Sequence, residues 1–274
     1  MSNLQLRIIS GLVLAAVALT LTWIGGVPFR LLAVAISAAI FYEWVRMAGS
    51  RNRRPGIVGL LPEACMALLL IALCIGVAAL PFLVLTLVAV ILVASVSLIR
   101  GWGAWDAAGI AYAILPGFAL AFLRGSEQAG LLAILFLFAI VWATDTLAYF
   151  VGRALGGPKL APAISPGKTW SGAIGGTIAG VVAGLAVSVL AGLDHYVLLG
   201  VAGFVLSVGS QIGDLFESWV KRRHGAKDSS QLIPGHGGVM DRVDGLVVAA
   251  LVLYVLGSVV ATSINSPAQG LFGV

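Results

Sequence analysis

Residues 81–99 read PFLVLTLVAVILVASVSLI and contain no charged side chain. An apolar helix of roughly 17–25 residues is long enough to cross the hydrocarbon core of a bilayer, so this segment predicts a membrane-spanning helix. The rest of the chain has a similar character, since 60% of its 274 residues are hydrophobic and 10% are charged. A soluble domain carries roughly 25% charged residues. We therefore expect an integral membrane protein whose solvent is the bilayer.

The same pattern recurs on both sides of this segment and predicts an all-α polytopic integral membrane protein with about nine transmembrane helices. The predicted spans are 5–24, 29–48, 57–79, 81–99, 106–123, 129–151, 171–192, 196–219 and 243–264. Strong polar features are concentrated in the second half of the chain. We therefore predict a membrane-helix scaffold over residues 1–104 and a catalytic membrane region over residues 105–274.

The basic residues are distributed unevenly between alternate connections of these helices. Fourteen of the sixteen fall on one side, and Arg30 and Arg124 fall on the other. Because Lys and Arg are enriched in cytoplasmic loops, we predict that the rich side is cytoplasmic, with the N-terminus inside and the C-terminus outside. This rule alone explains the cluster from Arg46 to Arg54, to which we assign no further role.

One polar stretch interrupts the apolar chain at residues 218–244, SWVKRRHGAKDSSQLIPGHGGVMDRVD. Inserting a charged side chain at the centre of a membrane helix costs about 2.5–3.5 kcal/mol of free energy on insertion scales. A cluster of charged residues in such a chain therefore predicts a functional site. Asp241 and Asp244 would share one face of a helix. Helix capping explains one of these aspartates, and a bound cation explains both.

Two further aspartates are expected at a similar depth in the membrane. Asp214 lies seven residues before Lys221, and Asp145 lies eight residues before Arg153, which places both about 10–12 Å inside their helices. Carboxylates suit a hard ion such as Mg²⁺, which shares them with substrate phosphates. The predicted metal ligands are Asp145, Asp214, Asp241 and Asp244, and Asp145 has the alternative role of supporting a basic partner.

Basic residues and glycines accompany these carboxylates, as the binding of a polyphosphate requires. The predicted phosphate-binding cations are Lys221, Arg222, Lys227 and Arg242. A belt that faces lipid headgroups is the alternative, and an ordinary i,i+4 ion pair with Glu217 is the alternative for Lys221. Glycines let backbone amides approach a ligand closely, so the turn PGHGG predicts ligand contacts at Gly237 and Gly238. His236 at its centre is either functional or structural.

The sequence SPGKT at residues 165–169 contains Gly-Lys-Thr but is not a P-loop. That motif requires an earlier glycine where this chain has Pro162, and it follows a β-strand, which we do not expect here. Lys168 can still bind a phosphate, and Ser165 or Thr169 can donate hydrogen bonds. We therefore predict that these three residues contact a phosphate group.

Residues 218–244 resemble the signature of the phosphatidate cytidylyltransferase (CDP-diacylglycerol synthase) family. Looser features of that family cover Asp145 with Tyr149, the loop 165–170, and Asp214 with the glycine before it. This chain departs from the family at two positions, since relatives commonly carry a second lysine at the position of Gly167 and a glutamate at the position of Ser171. The specified signature positions are all filled, by Ser218, Val220, Lys221, Arg222, Lys227, Asp228, Ser230, Ile233, Pro234, His236, Gly237, Gly238, Val239, Asp241, Arg242, Val243 and Asp244.

The resemblance implies an enzyme of phospholipid biosynthesis that converts CTP and phosphatidic acid to CDP-diacylglycerol and pyrophosphate. It also implies a Mg²⁺ site, with K⁺ as a candidate companion, and a homodimer. We expect a bacterial-type inner membrane location, an active site that faces the cytoplasm, and no nucleic-acid partner. The catalytic residues implied are Ser218, Lys221, Arg222, Asp228 and His236, and the substrate-binding residues are Lys227, Arg242, Ser165, Lys168, Thr169, Gly237 and Gly238.

Two other functions are compatible with some of these features. A CTP-dependent lipid-alcohol kinase would transfer the γ-phosphate and release CDP instead of pyrophosphate. An ion-coupled transporter would use the aspartates as an ion pathway, but such sites usually lie near the bilayer midplane. The aspartates of this chain are expected toward one face, so transport is the weaker alternative.

Overall fold

The computed structural model describes residues 3–273, apart from the side chains of Asn3, Leu4, Arg7 and Arg51. Arg7 and Arg51, which were used to predict the orientation, therefore lie outside the described side chains. The described chain is helical apart from one hairpin and its connections, which confirms the all-α prediction. The helices are α1 (Asn3–Ile24), α2 (Gly26–Met47), α3 (Ser50–Arg53), a 3₁₀ turn (Ile57–Leu60), α4 (Leu61–Ile75), α5 (Ala79–Ile99), α6 (Trp105–Arg124), α7 (Gln128–Leu155), α8 (Trp170–Leu190), α9 (Tyr196–Arg223), α10 (Met240–Ala261) and α11 (Ala268–Phe272).

Eight helical segments within the described residues are long and apolar enough to cross a membrane. They correspond to the second to ninth predicted spans, which are therefore confirmed as apolar helices. The predicted first span corresponds to α1, in which the apolar stretch Ile8–Ile24 is shorter than the others. The side of the membrane on which each terminus lies stays a prediction.

The chain forms two compact units. The N-terminal unit contains the residues up to Ala121 together with His224–Arg242, and the C-terminal unit contains Phe122–Arg223 and the residues from Val243 onward. The predicted division into a scaffold and a catalytic region concerns function and stays a prediction. The packing shows that the segment 224–242, which holds most of the family signature, belongs to the same unit as the first helices.

In the N-terminal unit, α2 packs against α1 and α4, and α4 packs against α5. The fully buried ring of Phe82 stacks on Phe118 with a centroid distance of 5.1 Å. The indole nitrogen of Trp44, in α2, donates a hydrogen bond of 2.8 Å to the carbonyl of Trp105. The packing against α1 and α4 and the hydrogen bond of Trp44 fix α2 inside its unit, and α2 carries a buried carboxylate that is described below.

The interpretation that the cluster from Arg46 to Arg54 only orients the helices is wrong for Arg54. Its guanidinium is buried, donates to the Gly59 carbonyl at 2.7 Å, and forms two bonds of 3.0 Å to the Glu63 carboxylate. Asp106 lies 3.3 Å from it. A buried charge is tolerated when it is paired and hydrogen-bonded, so Arg54 is a structural residue that fixes the turn before α4.

The C-terminal unit is built around α8, which packs against α7 and α9. The buried positions of α8 recur every fourth residue, at Gly172, Gly176, Gly180, Gly184 and Ser188. Small residues at this spacing let helix backbones approach each other closely in a membrane. A Cβ atom at Gly176 would lie 2.7 Å from the Thr144 carbonyl oxygen, so this stripe sets the distance between α8 and α7.

A short antiparallel hairpin joins α7 to α8. Its strands are β1 (Lys159–Ala161) and β2 (Ser165–Thr169), with Lys159 opposite Thr169. The expectation that no β-strand precedes Gly-Lys-Thr is therefore wrong. Strands of three and five residues are too short for a period-two pattern to be recognised. The hairpin pairs backbone groups that a loop between two adjacent helices would otherwise leave unsatisfied.

Candidate active site

A polar cavity of about 720 Å³ lies in the C-terminal unit, among residues of α7, the hairpin, α8 and α9. Its volume falls within the roughly 300–1,000 Å³ typical of small-molecule sites. The charged side chains that line it are Asp145, Arg153, Lys159, Lys168 and Asp214. Three cations and two carboxylates in one cavity suit a polyanionic ligand accompanied by a metal ion.

Lys168 and Asp214 form an ion pair in this cavity, although they come from different elements. The side chains are 27% and 26% exposed, so solvent screens their attraction in part. The hydroxyl of Ser218, one turn further along α9, donates to Asp214 Oδ1 at 3.5 Å. The hairpin therefore presents Lys168 to the carboxylate, and a bound phosphate would compete with Asp214 for the ammonium.

Asp145, Asp214 and Asp244 lie close enough to interact electrostatically with one another, and Lys168 interacts with all three. Close packing of α9 and α10 contributes to this grouping, since a Cβ atom at Gly213 would lie 2.6 Å from the Asp244 carbonyl oxygen. The backbone amide of Gly245 donates to Asp244 Oδ1 at 2.7 Å. Three helices thus supply one cluster of carboxylates, which we call the aspartate cluster (Asp145, Asp214 and Asp244).

The aspartate cluster fits a divalent cation by its chemistry, because it consists of the hard oxygen donors that Mg²⁺ prefers. Lys168 brings one positive charge to this cluster. Among the residues that the structure describes, no group of three or more His, Cys, Asp or Glu side chains has a geometry that would hold a metal ion directly. Metal binding therefore stays a prediction for these residues.

The glycine-rich turn of the signature forms in the N-terminal unit. The backbone amide of Ile233 donates to the Gly237 carbonyl at 2.8 Å, and that of His236 donates to the Ile233 carbonyl at 2.9 Å. Gly235 and Gly237 have φ angles of +77° and +81°, a region that favours glycine. The glycines are thus required by the shape of the turn, and their predicted contacts with a ligand stay a prediction.

His236 is held by its own unit. Its Nδ1 atom lies 2.7 Å from the hydroxyl of Ser10 in α1, and its carbonyl accepts a bond of 3.1 Å from Arg242 Nε. Ser10 also donates to the Leu6 carbonyl at 2.7 Å. Sequence reasoning missed Ser10, because a single serine in an apolar helix gives no sign of a partner more than two hundred residues away.

Asp241 organises the signature loop. Its Oδ2 atom accepts hydrogen bonds from the backbone amide of Ser229 at 2.9 Å, the hydroxyl of the same serine at 2.9 Å, and the amide of Gly238 at 2.8 Å. We predicted Asp241 as a metal ligand, and that role stays a prediction. The structure adds a role for this carboxylate that its place in the signature did not indicate.

Two of the other predicted site residues have partners inside the C-terminal unit. Thr169 is buried, and its hydroxyl accepts a bond of 3.1 Å from the Gly172 amide, so it caps the start of α8. Lys221 forms the ordinary i,i+4 ion pair with the buried Glu217, at 2.6 Å. Ser165 lines the polar cavity. The exposed members of the predicted set are Asp145, Arg222, Lys227, Asp228 and Arg242.

Comparison with known proteins agrees with these features. A sequence model described as the cytidylyltransferase family matches residues 5–260. Several proteins named phosphatidate cytidylyltransferase are similar over nearly their whole length. The one from Brucella abortus (strain 2308) is 49% identical over 264 residues, which cover 95% of this chain and 96% of the relative.

More distant relatives carry the same name. The protein from Pseudomonas aeruginosa is 42% identical over 259 residues, covering 90% of this chain and 94% of the relative. The protein from Bacillus subtilis is 33% identical over 264 residues, covering 93% of this chain and 98% of the relative. The family predicted from residues 218–244 is confirmed, and this chain belongs to the cytidylyltransferase family.

Proposed function

We propose that this chain transfers the cytidylyl group of CTP to phosphatidic acid and releases pyrophosphate. The observation that carries the proposal is the polar cavity, in which Arg153, Lys159 and Lys168 accompany two aspartates in a chain of the cytidylyltransferase family. A phosphate oxygen of phosphatidic acid attacks the α-phosphorus of CTP. The new P–O bond completes the diphosphate of CDP-diacylglycerol, and the bond to the β-phosphate breaks with its electrons on pyrophosphate. Such transfers depend on in-line positioning and on stabilisation of charge.

A lipid substrate is supported by a second feature of the same unit. An apolar groove of about 650 Å³ adjoins the polar cavity and shares Leu160, Ala173 and Gln211 with it. One reactant is water-soluble and the other carries acyl chains, so the enzyme needs polar and apolar surfaces side by side. The headgroup would enter the polar cavity while an acyl chain follows the groove.

The basic residues lower the repulsion between the two anionic reactants. Lys168, Arg153 and Lys159 bind the triphosphate in the cavity. Arginine can bind phosphate oxygens in a bidentate manner, and lysine acts as a point charge. Lys221, Arg222, Lys227 and Arg242 neutralise the triphosphate, the lipid phosphate or the departing pyrophosphate, and Ser218, Asp228 and His236 orient the reacting phosphates.

The proposed ligands of Mg²⁺ are Asp145, Asp214, Asp241 and Asp244, and K⁺ is the candidate companion ion. A divalent cation bound there supplies Lewis-acid neutralisation of the phosphate oxygens. The protein acts as a homodimer in a bacterial-type inner membrane, with its active site on the cytoplasmic side, where CTP is available. The uneven distribution of basic residues supports that orientation.

Labelled CTP tests this function. Purified protein in detergent micelles is incubated with phosphatidic acid, Mg²⁺ and CTP that carries ³²P at either the α or the γ position. We expect label from the α position in the lipid product, and label from the γ position in pyrophosphate. Label from the γ position in a lipid would indicate the lipid-alcohol kinase instead, and the absence of any nucleotide turnover would refute both.

A further inference from the structure

Glu43 lies in α2 and is buried, and four donor groups of the signature loop lie within hydrogen-bond distance of its carboxylate. Oε1 accepts from the hydroxyl of Ser230 at 2.6 Å and the backbone amide of Val239 at 2.8 Å. Oε2 accepts from the backbone amide of Met240 at 2.7 Å and lies 3.0 Å from the hydroxyl of Ser229, which it shares with Asp241. Each carboxylate oxygen therefore faces one hydroxyl and one backbone amide.

These donors come from the two ends of the loop. The two serines stand before the glycine-rich turn, while Val239 and Met240 stand at the start of α10. The first amides of a helix have no partner within the helix, and the positive end of the helix dipole favours a negative charge. Glu43 thus caps α10 from another helix and at the same time ties down the other end of the loop.

The same carboxylate is linked to Asp241 through one hydroxyl. Ser229 Oγ lies 3.0 Å from Glu43 Oε2 and 2.9 Å from Asp241 Oδ2, and a hydroxyl has one proton to donate. Space around the two carboxylates is also restricted, since a Cβ atom at Gly238 would lie 2.6 Å from Glu43 Oε1. The position of Glu43 therefore requires a glycine at 238 and constrains the side chain of Asp241.

We propose that Glu43 is a positioning residue for cytidylyl transfer. It contacts the loop rather than the substrate, and it holds in one conformation the segment that carries His236 and Asp241. This inference rests on the proposed function. It also changes the interpretation of the first hundred residues as a scaffold, because a residue of α2 sets the geometry of the family signature.

Replacing Glu43 with glutamine tests the proposal, because the side chain keeps its size while one acceptor oxygen becomes an NH₂ donor that faces donors. Hydrogen bonds to charged groups are among the stronger ones in proteins. We expect kcat/KM for CTP to fall about 10- to 100-fold, with the protein still folded. Hydrogen exchange should become faster in peptides that contain the Val239 and Met240 amides and should stay unchanged in α7 and α8.

Glu63→Gln provides a matched control. Glu63 is also a carboxylate of the N-terminal unit, but it is bonded to Arg54 and not to the loop. We expect this variant to lose stability while keeping the wild-type kcat/KM and the wild-type exchange in the loop. Ser230→Ala removes one of the four donors and should cause a smaller loss of activity. Combined with Glu43→Gln, it should add little, because both changes act on the same interaction.

The outcomes separate this inference from the proposed function. If the wild-type protein makes no CDP-diacylglycerol, the proposed function fails, and loop exchange in Glu43→Gln still decides whether Glu43 orders the loop. If the wild-type is active and Glu43→Gln retains its kinetics and its loop exchange, the role of Glu43 is refuted. Equal losses in Glu43→Gln and Glu63→Gln would show a general structural role instead. Should Glu43→Gln fail to fold, Ser230→Ala carries the test, and wild-type kinetics and exchange in that variant refute the proposal.

Discussion

Replacing Lys168 with methionine should lower the activity and at the same time strengthen the response to Mg²⁺. Lys168 forms an ion pair with Asp214 and interacts with the other members of the aspartate cluster. In the proposed reaction the aspartate cluster binds a divalent cation and Lys168 binds a phosphate. Before the phosphate binds, the Lys168 ammonium and the cation compete for the Asp214 carboxylate. Methionine preserves most of the length and the apolar stem of lysine and removes the charge.

The expected magnitude follows from the contact that is lost. A hydrogen bond to a charged group contributes about 1.5–3 kcal/mol, and each 1.36 kcal/mol of barrier corresponds to a factor of ten in rate. The kcat/KM for CTP should therefore fall about 10- to 150-fold. The Mg²⁺ concentration that gives half-maximal activity should decrease, because the aspartate cluster loses a neighbouring positive charge.

The assay is the initial rate of CDP-diacylglycerol formation, measured as a matrix of CTP and Mg²⁺ concentrations. Lys159→Met is the control, since Lys159 lines the same cavity from β1. It should raise KM for CTP with a smaller change in the Mg²⁺ response. If Lys168→Met has the wild-type kcat/KM and the wild-type Mg²⁺ response, the assignment of Lys168 to both phosphate and the aspartate cluster is refuted.

Three further variants test the packing. In Gly176→Leu, even the Cβ atom would lie 2.7 Å from the Thr144 carbonyl oxygen. The variant should therefore lower the free energy of unfolding by about 1–3 kcal/mol, measured by thermal unfolding in detergent. Arg54→Met leaves Asp106 and Glu63 without their buried partner and should cost about 3–5 kcal/mol; an unchanged midpoint would show that the pair is not needed. Gly238→Ala should abolish most activity and leave the melting temperature within a few degrees of wild type, since the clash lies in the loop; full activity would show that the loop adapts.

The membrane helices could be predicted from the sequence because the hydropathy signal is strong and local. A run such as residues 81–99 has no other stable environment than lipid or a buried core, and the structure has a helix there, at Ala79–Ile99. The hairpin at Lys159–Thr169 could not be predicted in this way. Its strands contain three and five residues, and their pairing depends on where α7 ends and α8 begins.

The sequence predicted which residue types form the candidate site, but it did not predict which residues contact one another. Asp145, Asp214 and Lys168 were expected near a polyphosphate, and the structure places all three at one cavity. Glu43 was assigned no role from the sequence, although it is a carboxylate near the end of an apolar helix. Its donors, however, lie 186–197 positions further along the chain, and a single sequence contains no signal that joins positions so far apart.

Arg54 shows the same limit. The positive-inside rule accounts for its side of the membrane, and the rule says nothing about whether a guanidinium is buried. Glu63 and Asp106, which accompany it, lie in α4 and α6. Long-range ion pairs of this kind depend on helix packing, which sequence periodicity does not specify.

The most direct test of the account is the transfer of label from [α-³²P]CTP to phosphatidic acid by Asp214→Asn. The variant keeps the size of the side chain and removes the charge that Lys168 contacts within the cavity. Asp194→Asn is the control, because the Asp194 side chain is 99% exposed in the same unit. We predict that Asp194→Asn labels the lipid at the wild-type rate and that Asp214→Asn, folded and in the same detergent, labels it at least about a hundredfold more slowly. A wild-type rate for Asp214→Asn would contradict the assignment of the reaction to this cavity.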